Sequence, residues 1–199
     1  MKHTILLICF LALHLSCKSQ VEYTIKEQFH KCLEGAEKIT FTYEDGRKGY
    51  SHNVKSDCIL GSKLPDISIT DLHGEEMNLD DLKGGISVLH FWFLQCKPCL
   101  EEIPELNRLR QRFAHTDINF LAFSKDSAEA VLKFLEDKEF NFRLIPESEE
   151  IIDSELNFFH GYPATIVTDR NNKVLEVYGK LSNDDFHDLS ILLSDAYIK

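Results

Sequence analysis

Basic residues are scarce in this 199-residue chain, where 22 Lys and Arg stand against 33 Asp and Glu, for a formal net charge of -11. That is the wrong sign for a protein held on phosphate backbones, and it excludes nucleic acid as a partner. Long apolar runs are also lacking: the stretch Thr4 to Leu15 is too short for the roughly 20 residues of a membrane-spanning helix. No repeat, low-complexity tract or Pro/Gly/Ser-rich linker divides the chain. What remains, 43% hydrophobic and 28% charged residues, is enough apolar material for one core and excludes long-range disorder. The expectation is one domain with a short extension.

The short apolar run has a use of its own. It follows Lys2, ends at Ser16-Cys17 and gives way at once to polar Lys18-Ser19-Gln20. This is the layout of a signal peptide over residues 1–16, and it looks like a lipoprotein signal with Cys17 as the lipidated first residue of the mature chain. Ordinary cleavage near Ser16 is the alternative. Either way the working domain is expected in the cell envelope, facing the periplasm and, with Cys17 acylated, anchored by lipid to a membrane. Cysteine pairs in such a compartment become disulfides or the machinery that handles them.

Residues 17–60 read as an N-terminal extension packed on a main domain of residues 61–199. The extension offers a short helix around Ile25 to Leu33 and an alternating stretch Ile39 to Tyr43 closed by Asp45-Gly46. In the main domain, Pro65 to Thr70 and Glu75 to Leu79 flank a turn at Leu72-His73-Gly74. Ile86 to Phe93 is nearly continuous apolar sequence, the mark of a buried central strand. Leu100, Ile103, Leu106, Leu109 and Phe113 then recur at helical spacing, and Pro104 is expected to kink that helix. A second buried strand at Ile118 to Phe123 precedes Asp126 and Glu129, placed to cap a helix. Strands follow near Phe142 to Ile145, at Ala164 to Thr168 and at Val174 to Tyr178. A short helix lies near Glu149 to Leu156, and a last helix is capped by Ser182 and Asp185. The order predicts an α/β domain with helices on both faces of a mixed sheet and a reactive group beyond the end of the first long strand.

Cys96-Lys97-Pro98-Cys99 stands at that point. Two thiols three apart across the first turn of a helix can close and reopen a small-ring disulfide. Cys96, at the helix N-terminus and beside Lys97, is favoured as a thiolate and so as the attacking nucleophile; Cys99, deeper, is the resolving thiol. Structural zinc is disfavoured because no second closely spaced ligand pair accompanies the first. Glu102, three residues past Cys99, either takes up and returns the proton of the buried thiol or is a solvated first-turn glutamate. Tyr162-Pro163, just before a strand, is a candidate cis peptide bond or an ordinary strand-entry proline. His160 nearby reads as a surface or structural histidine rather than a ligand. Cys32 and Cys58 remain as an even pair, expected as a structural disulfide, with a second redox pair relaying electrons as the rival.

Taken together, the motifs Gly61-Ser-Lys-Leu-Pro65-Asp, Asp81-Leu-Lys-Gly84, Phe91-Trp92, Cys96-Lys-Pro-Cys99-Leu-Glu-Glu102-Ile-Pro104 and Gly161-Tyr-Pro163-Ala-Thr-Ile-Val-Thr-Asp169 resemble the TlpA-like thioredoxin-fold thiol-disulfide oxidoreductases, relatives of the AhpC/TSA proteins. The likeness covers about Gly61 to Lys199. It implies a thioredoxin-like fold with an inserted helix and strand near 127–145, a cis-Pro163 facing the active disulfide, and a Glu102 that helps deprotonate the buried thiol. Gln95 replaces the Trp usual before the first cysteine, and Phe93-Leu94 replace small residues, so the rim of the site departs from the family. The implied activity is reduction of protein disulfides without an organic cofactor, with Trp92, Tyr162 and Pro163 holding the substrate and a thiol protein, expected in the membrane, supplying electrons. One alternative is a non-catalytic lipoprotein binding a protein or copper through Cys96, Cys99 and His160. Another is a thiol peroxidase, disfavoured because Phe91 to Gln95 contain neither a hydroxyl nor a proline.

Overall fold

The structure, a computed structural model, describes residues 21–156 and 161–198. The signal segment, Cys17 and His160 lie outside the described residues. Thr24 opens the first helix, α1 (Ile25–Glu34), with a reciprocal capping box: its hydroxyl accepts from Glu27 N–H, and the Glu27 carboxylate accepts from Thr24 N–H. An antiparallel hairpin follows, β1 (Glu37–Thr42) and β2 (Lys48–Asn53), whose residues are almost all exposed. The ring of Phe41 lies over Gly49, where an added Cβ would sit 2.6 Å from it. A 3-10 turn at Ser56–Ile59 brings the chain back, and the bridge Thr24 to Lys63 ties the extension to the main domain.

The main domain begins with the small hairpin β3 (Ser68–Thr70) and β4 (Glu76–Asn78), then enters β5 (Ser87–Trp92), buried at every position. Gly85 is needed just before it, because a Cβ there would meet the Asp117 carbonyl oxygen at 2.5 Å. The helix α2 (Lys97–Arg112) continues through Pro104. After β6 (Asn119–Ser124) come α3 (Ala128–Leu135), β7 (Arg143–Ile145) and α4 (Glu149–Ser154). The hairpin β8 (Ala164–Thr168) and β9 (Val174–Tyr178) leads to α5 (Asn183–Ile198). The main sheet has the order β7-β6-β5-β8-β9, parallel across β7, β6 and β5 and antiparallel across β5, β8 and β9. The mixed thioredoxin-like sheet and its inserted helix and strand stand as expected.

Alternation along β5 splits the core into two layers. Val88 and Trp92 point to the face covered by α2 and α5, with Val131 of α3. Leu89 and Phe91 point to the other, where Ile25 of α1, Ile59, Leu79 and Ile152 of α4 close the layer. The extension thus supplies two fully buried isoleucines, Ile25 and Ile59, to the second layer. No helix among the described residues is long and apolar enough to cross a membrane.

Candidate active site

The site is built where β5 ends and α2 begins. Cys96 is the N-cap of α2, and its sulfur accepts a hydrogen bond from Cys99 N–H at 3.3 Å. Pro98 falls in the first turn, where a missing N–H leaves no partner unsatisfied. The two sulfurs are joined in a disulfide, with Cα atoms 5.3 Å apart. Cys96 is 5% exposed and Cys99 fully buried, which sets an order of access: an outside sulfur reaches Cys96 first. The open N-terminus of α2 and the exposed Lys97, which forms no ion pair with a described residue, favour negative charge on Cys96 when the bond is reduced.

One turn further on, Glu102 is 3% exposed. Its Oε1 accepts from the backbone N–H of Leu181, at the entry to α5, at 2.6 Å, while Oε2 is buried without a partner. Burial pushes this carboxyl up to about 7, against the lowering influence of the Leu181 N–H and of the Lys180 ammonium. A carboxylate that gains and loses a proton near neutrality is suited to general acid-base work. The solvated reading of Glu102 does not fit this burial.

The Tyr162–Pro163 peptide is cis, and Pro163 is buried at the entry to β8. Tyr162 packs edge-on against Phe93, with ring centroids 5.2 Å apart. Burial, helped by Asp153 and Glu149, pushes its phenol up to about 12, so it stays protonated. Lys125, at the end of β6, places its ammonium 4.5 Å from the centroid of Phe93 and 5.7 Å from that of Tyr162.

Trp92 corrects an expectation. It is fully buried, its ring against Phe134 and Phe140, so it is a core residue beneath the site and not a substrate contact. Its position explains this: β5 is central, and the side chain falls under α2. Asp126 corrects another. Ser127 is the N-cap of α3, accepting from Ala130 N–H, and Asp126 turns instead to the active-site loop. Its Oδ2 accepts from Leu94 N–H at 2.7 Å and from the Ser124 hydroxyl at 2.8 Å, clamping the loop that leads into Cys96. Asp126, Lys125 and the Leu181 amide are the site features that sequence reasoning missed. The adjacent Asp126-Ser127 pair was the available signal, since two residues able to cap compete for one helix end.

His90 of β5 is fully buried, with Nδ1 3.0 Å from the Thr165 hydroxyl. Burial drives its imidazole down to about 3, so it is neutral. Cys32 and Cys58 form a second disulfide, with Cα atoms 6.4 Å apart, joining α1 to the 3-10 turn at Ser56–Ile59. Among the described residues no group of three or more His, Cys, Asp and Glu stands ready to hold a metal ion.

A thioredoxin-like sheet with a cysteine pair at the head of its first long helix defines the class. The AhpC/TSA family matches residues 60–177, and the chain belongs to that family. The TlpA-like resemblance read from the motifs holds as well. The thiol-disulfide oxidoreductase ResA of Bacillus cereus (strain ZK / E33L) is 32% identical over 120 residues, covering 59% of this chain and 68% of that protein. The thioredoxin-like protein YneN of Bacillus subtilis (strain 168) is 29% identical over 122 residues, covering 59% and 70%. A Chlorobium tepidum protein provisionally named thiol:disulfide interchange protein DsbE has the same fold, with a TM-score of 0.63, 24% identity and coverage of 69% of this chain and 97% of that one.

Proposed function

We propose that the protein reduces disulfides in other proteins on the outer side of a membrane. It is a thiol-disulfide oxidoreductase, in keeping with its relatives' names. The observation that carries the mechanism is the buried Glu102 one turn beyond Cys99, with one carboxylate oxygen unpartnered. In the reduced protein the Cys96 thiolate attacks a substrate disulfide; a mixed disulfide forms and one substrate thiolate leaves. Glu102 takes the proton of Cys99, whose thiolate attacks Cys96, releases the second substrate thiolate and closes Cys96–Cys99. Two electrons pass to the substrate, and a dithiol donor, read here as a membrane protein, restores the pair. Tyr162 and the backbone at Pro163 hold the substrate chain beside the sulfurs. Cys32–Cys58 is a structural bond that fastens the extension. Lipidation at Cys17 would keep the domain at the membrane, in keeping with the sequence around it.

The Cys99→Ser variant tests this, because it stops the reaction at the mixed disulfide. Covalent complexes that appear in Cys99→Ser, vanish on reduction and are absent from Cys96→Ser are expected. A Cys96–Cys99 midpoint potential below about -250 mV supports a reductant, while a value above about -200 mV supports an oxidant or isomerase instead. Labelling with radioactive fatty acid that is lost in Cys17→Ser checks the anchor.

A further inference from the structure

Three segments meet around Phe93, in the loop that leads into Cys96. The loop after β5 contributes Phe93, whose carbonyl accepts from Cys96 N–H at 3.0 Å. The turn before β8 contributes Tyr162, and the end of β6 contributes Lys125. The two rings are half-buried and perpendicular at 88°, while Lys125 is exposed and stacks over both. Ring faces hold an ammonium in place through their negative quadrupoles but leave its N–H donors open to a better acceptor.

No described carboxylate supplies that acceptor. Lys125 forms no salt bridge with a described residue, and the adjacent Asp126 is occupied by Leu94 N–H and the Ser124 hydroxyl. Lys97, on the helix side of Cys96, is likewise exposed and free of ion pairs to described residues. Glu101 beyond it is engaged with Lys180 at 3.2 Å. Because Asp126 ties the β6 end to the Cys96 loop, the backbone that carries Lys125 is held beside that loop. Glu149 and Asp153, whose negative charge raises the Tyr162 phenol, are the carboxylates that compete with this cation for charge at the rim.

Resting on the exchange reaction proposed above, we infer that Lys125, held over Phe93 and Tyr162, is a specificity-determining residue that selects disulfide substrates carrying a carboxylate beside the cystine. The substrate carboxylate pairs with the stacked ammonium as the Cys96 thiolate attacks the neighbouring sulfur. The Cys96–substrate bond forms, the substrate disulfide breaks, and the departing sulfur leaves as a thiolate with the bonding pair. The acidic side chain thus positions the cystine and takes no part in electron transfer.

The test uses pre-reduced protein and three disulfide peptides that differ only in Asp, Asn or Lys next to the cystine, with single-turnover rates followed by thiol mass-tagging. The Asp peptide is expected to react about tenfold faster than the Lys peptide at low salt, with the gap narrowing in 0.5 M NaCl as charge is screened. Lys125→Gln should shrink the gap to about twofold, and Lys125→Arg should retain it, because arginine keeps the charge and can stack on the same two rings. Equal rates for the three peptides, a faster Lys peptide drawn to Glu149 and Asp153, or a preference untouched by Lys125→Gln would overturn the inference while leaving exchange standing. If no peptide reacts, the exchange reading falls and this one falls with it.

Discussion

Glu102 carries one proton whose position governs both chemistry and stability. Its folded-state pKa is raised from 4.5 to about 7, so folding favours the protonated form. The stabilisation relative to an always-ionised carboxylate is complete below pH 4.5 and is lost as pH climbs through about 7. Relative to Glu102→Gln, wild type should lose up to about 3 kcal/mol across that window, seen in urea midpoints at pH 4.5, 6 and 8. The same substitution should slow resolution of a mixed disulfide by about a hundredfold near pH 7, read by stopped-flow, because the acceptor for the Cys99 proton is gone. Asp126→Ala leaves Leu94 N–H and Ser124 without their acceptor, and should cost about 1–3 kcal/mol in denaturant unfolding as well as slowing attack by Cys96. The cysteine pair was legible from spacing, whereas for Glu102 spacing gave only its place beside Cys99 on the helix, and its role came from the family resemblance. Burial was not: Trp92 is buried because β5 is a central strand beneath α2, which depends on chain pairing rather than on local pattern.

Among the elements, the β1–β2 hairpin stands apart, with Ile39, Phe41, Tyr43 and Tyr50 all at least 40% exposed. Its ends are joined through Cys32–Cys58, which closes a loop spanning 26 positions. Replacing both cysteines by Ala should cost about 3–4 kcal/mol by chain entropy, measured by urea unfolding of the otherwise oxidised protein. Exchanging residues 37–53 for a short Gly-Ser linker, with the disulfide kept, should leave the Cys96–Cys99 midpoint potential unchanged within about 10 mV, because the hairpin adds no buried side chain to either core layer. The elements were the most readable level of this sequence. α1, β5, β8 and β9 fall within a residue or two of where periodicity puts them, since each has a strong apolar pattern and a clear stop. The capping of α3 was misread because Asp126 and Ser127 both fit the pattern, and only the loop before Cys96, distant in sequence, decides between them.

At the scale of the whole molecule, both faces of the sheet are sealed by elements far apart in the chain: α2 and α5 on one, the extension and α4 on the other. The hydrogen bond from Leu181 N–H to Glu102 crosses 79 positions of sequence. The segment that matches the family ends at residue 177, short of Leu181. A fragment cut there would keep both sulfurs, the carboxylate and the cis-proline turn, every emblem by which the site is known, and would still lack the amide that restrains the proton. The site can therefore be retuned from a position outside the matched family segment, simply by altering how the chain turns out of β9. Leu181→Pro, which deletes that single donor, would be the smallest instance of such a change.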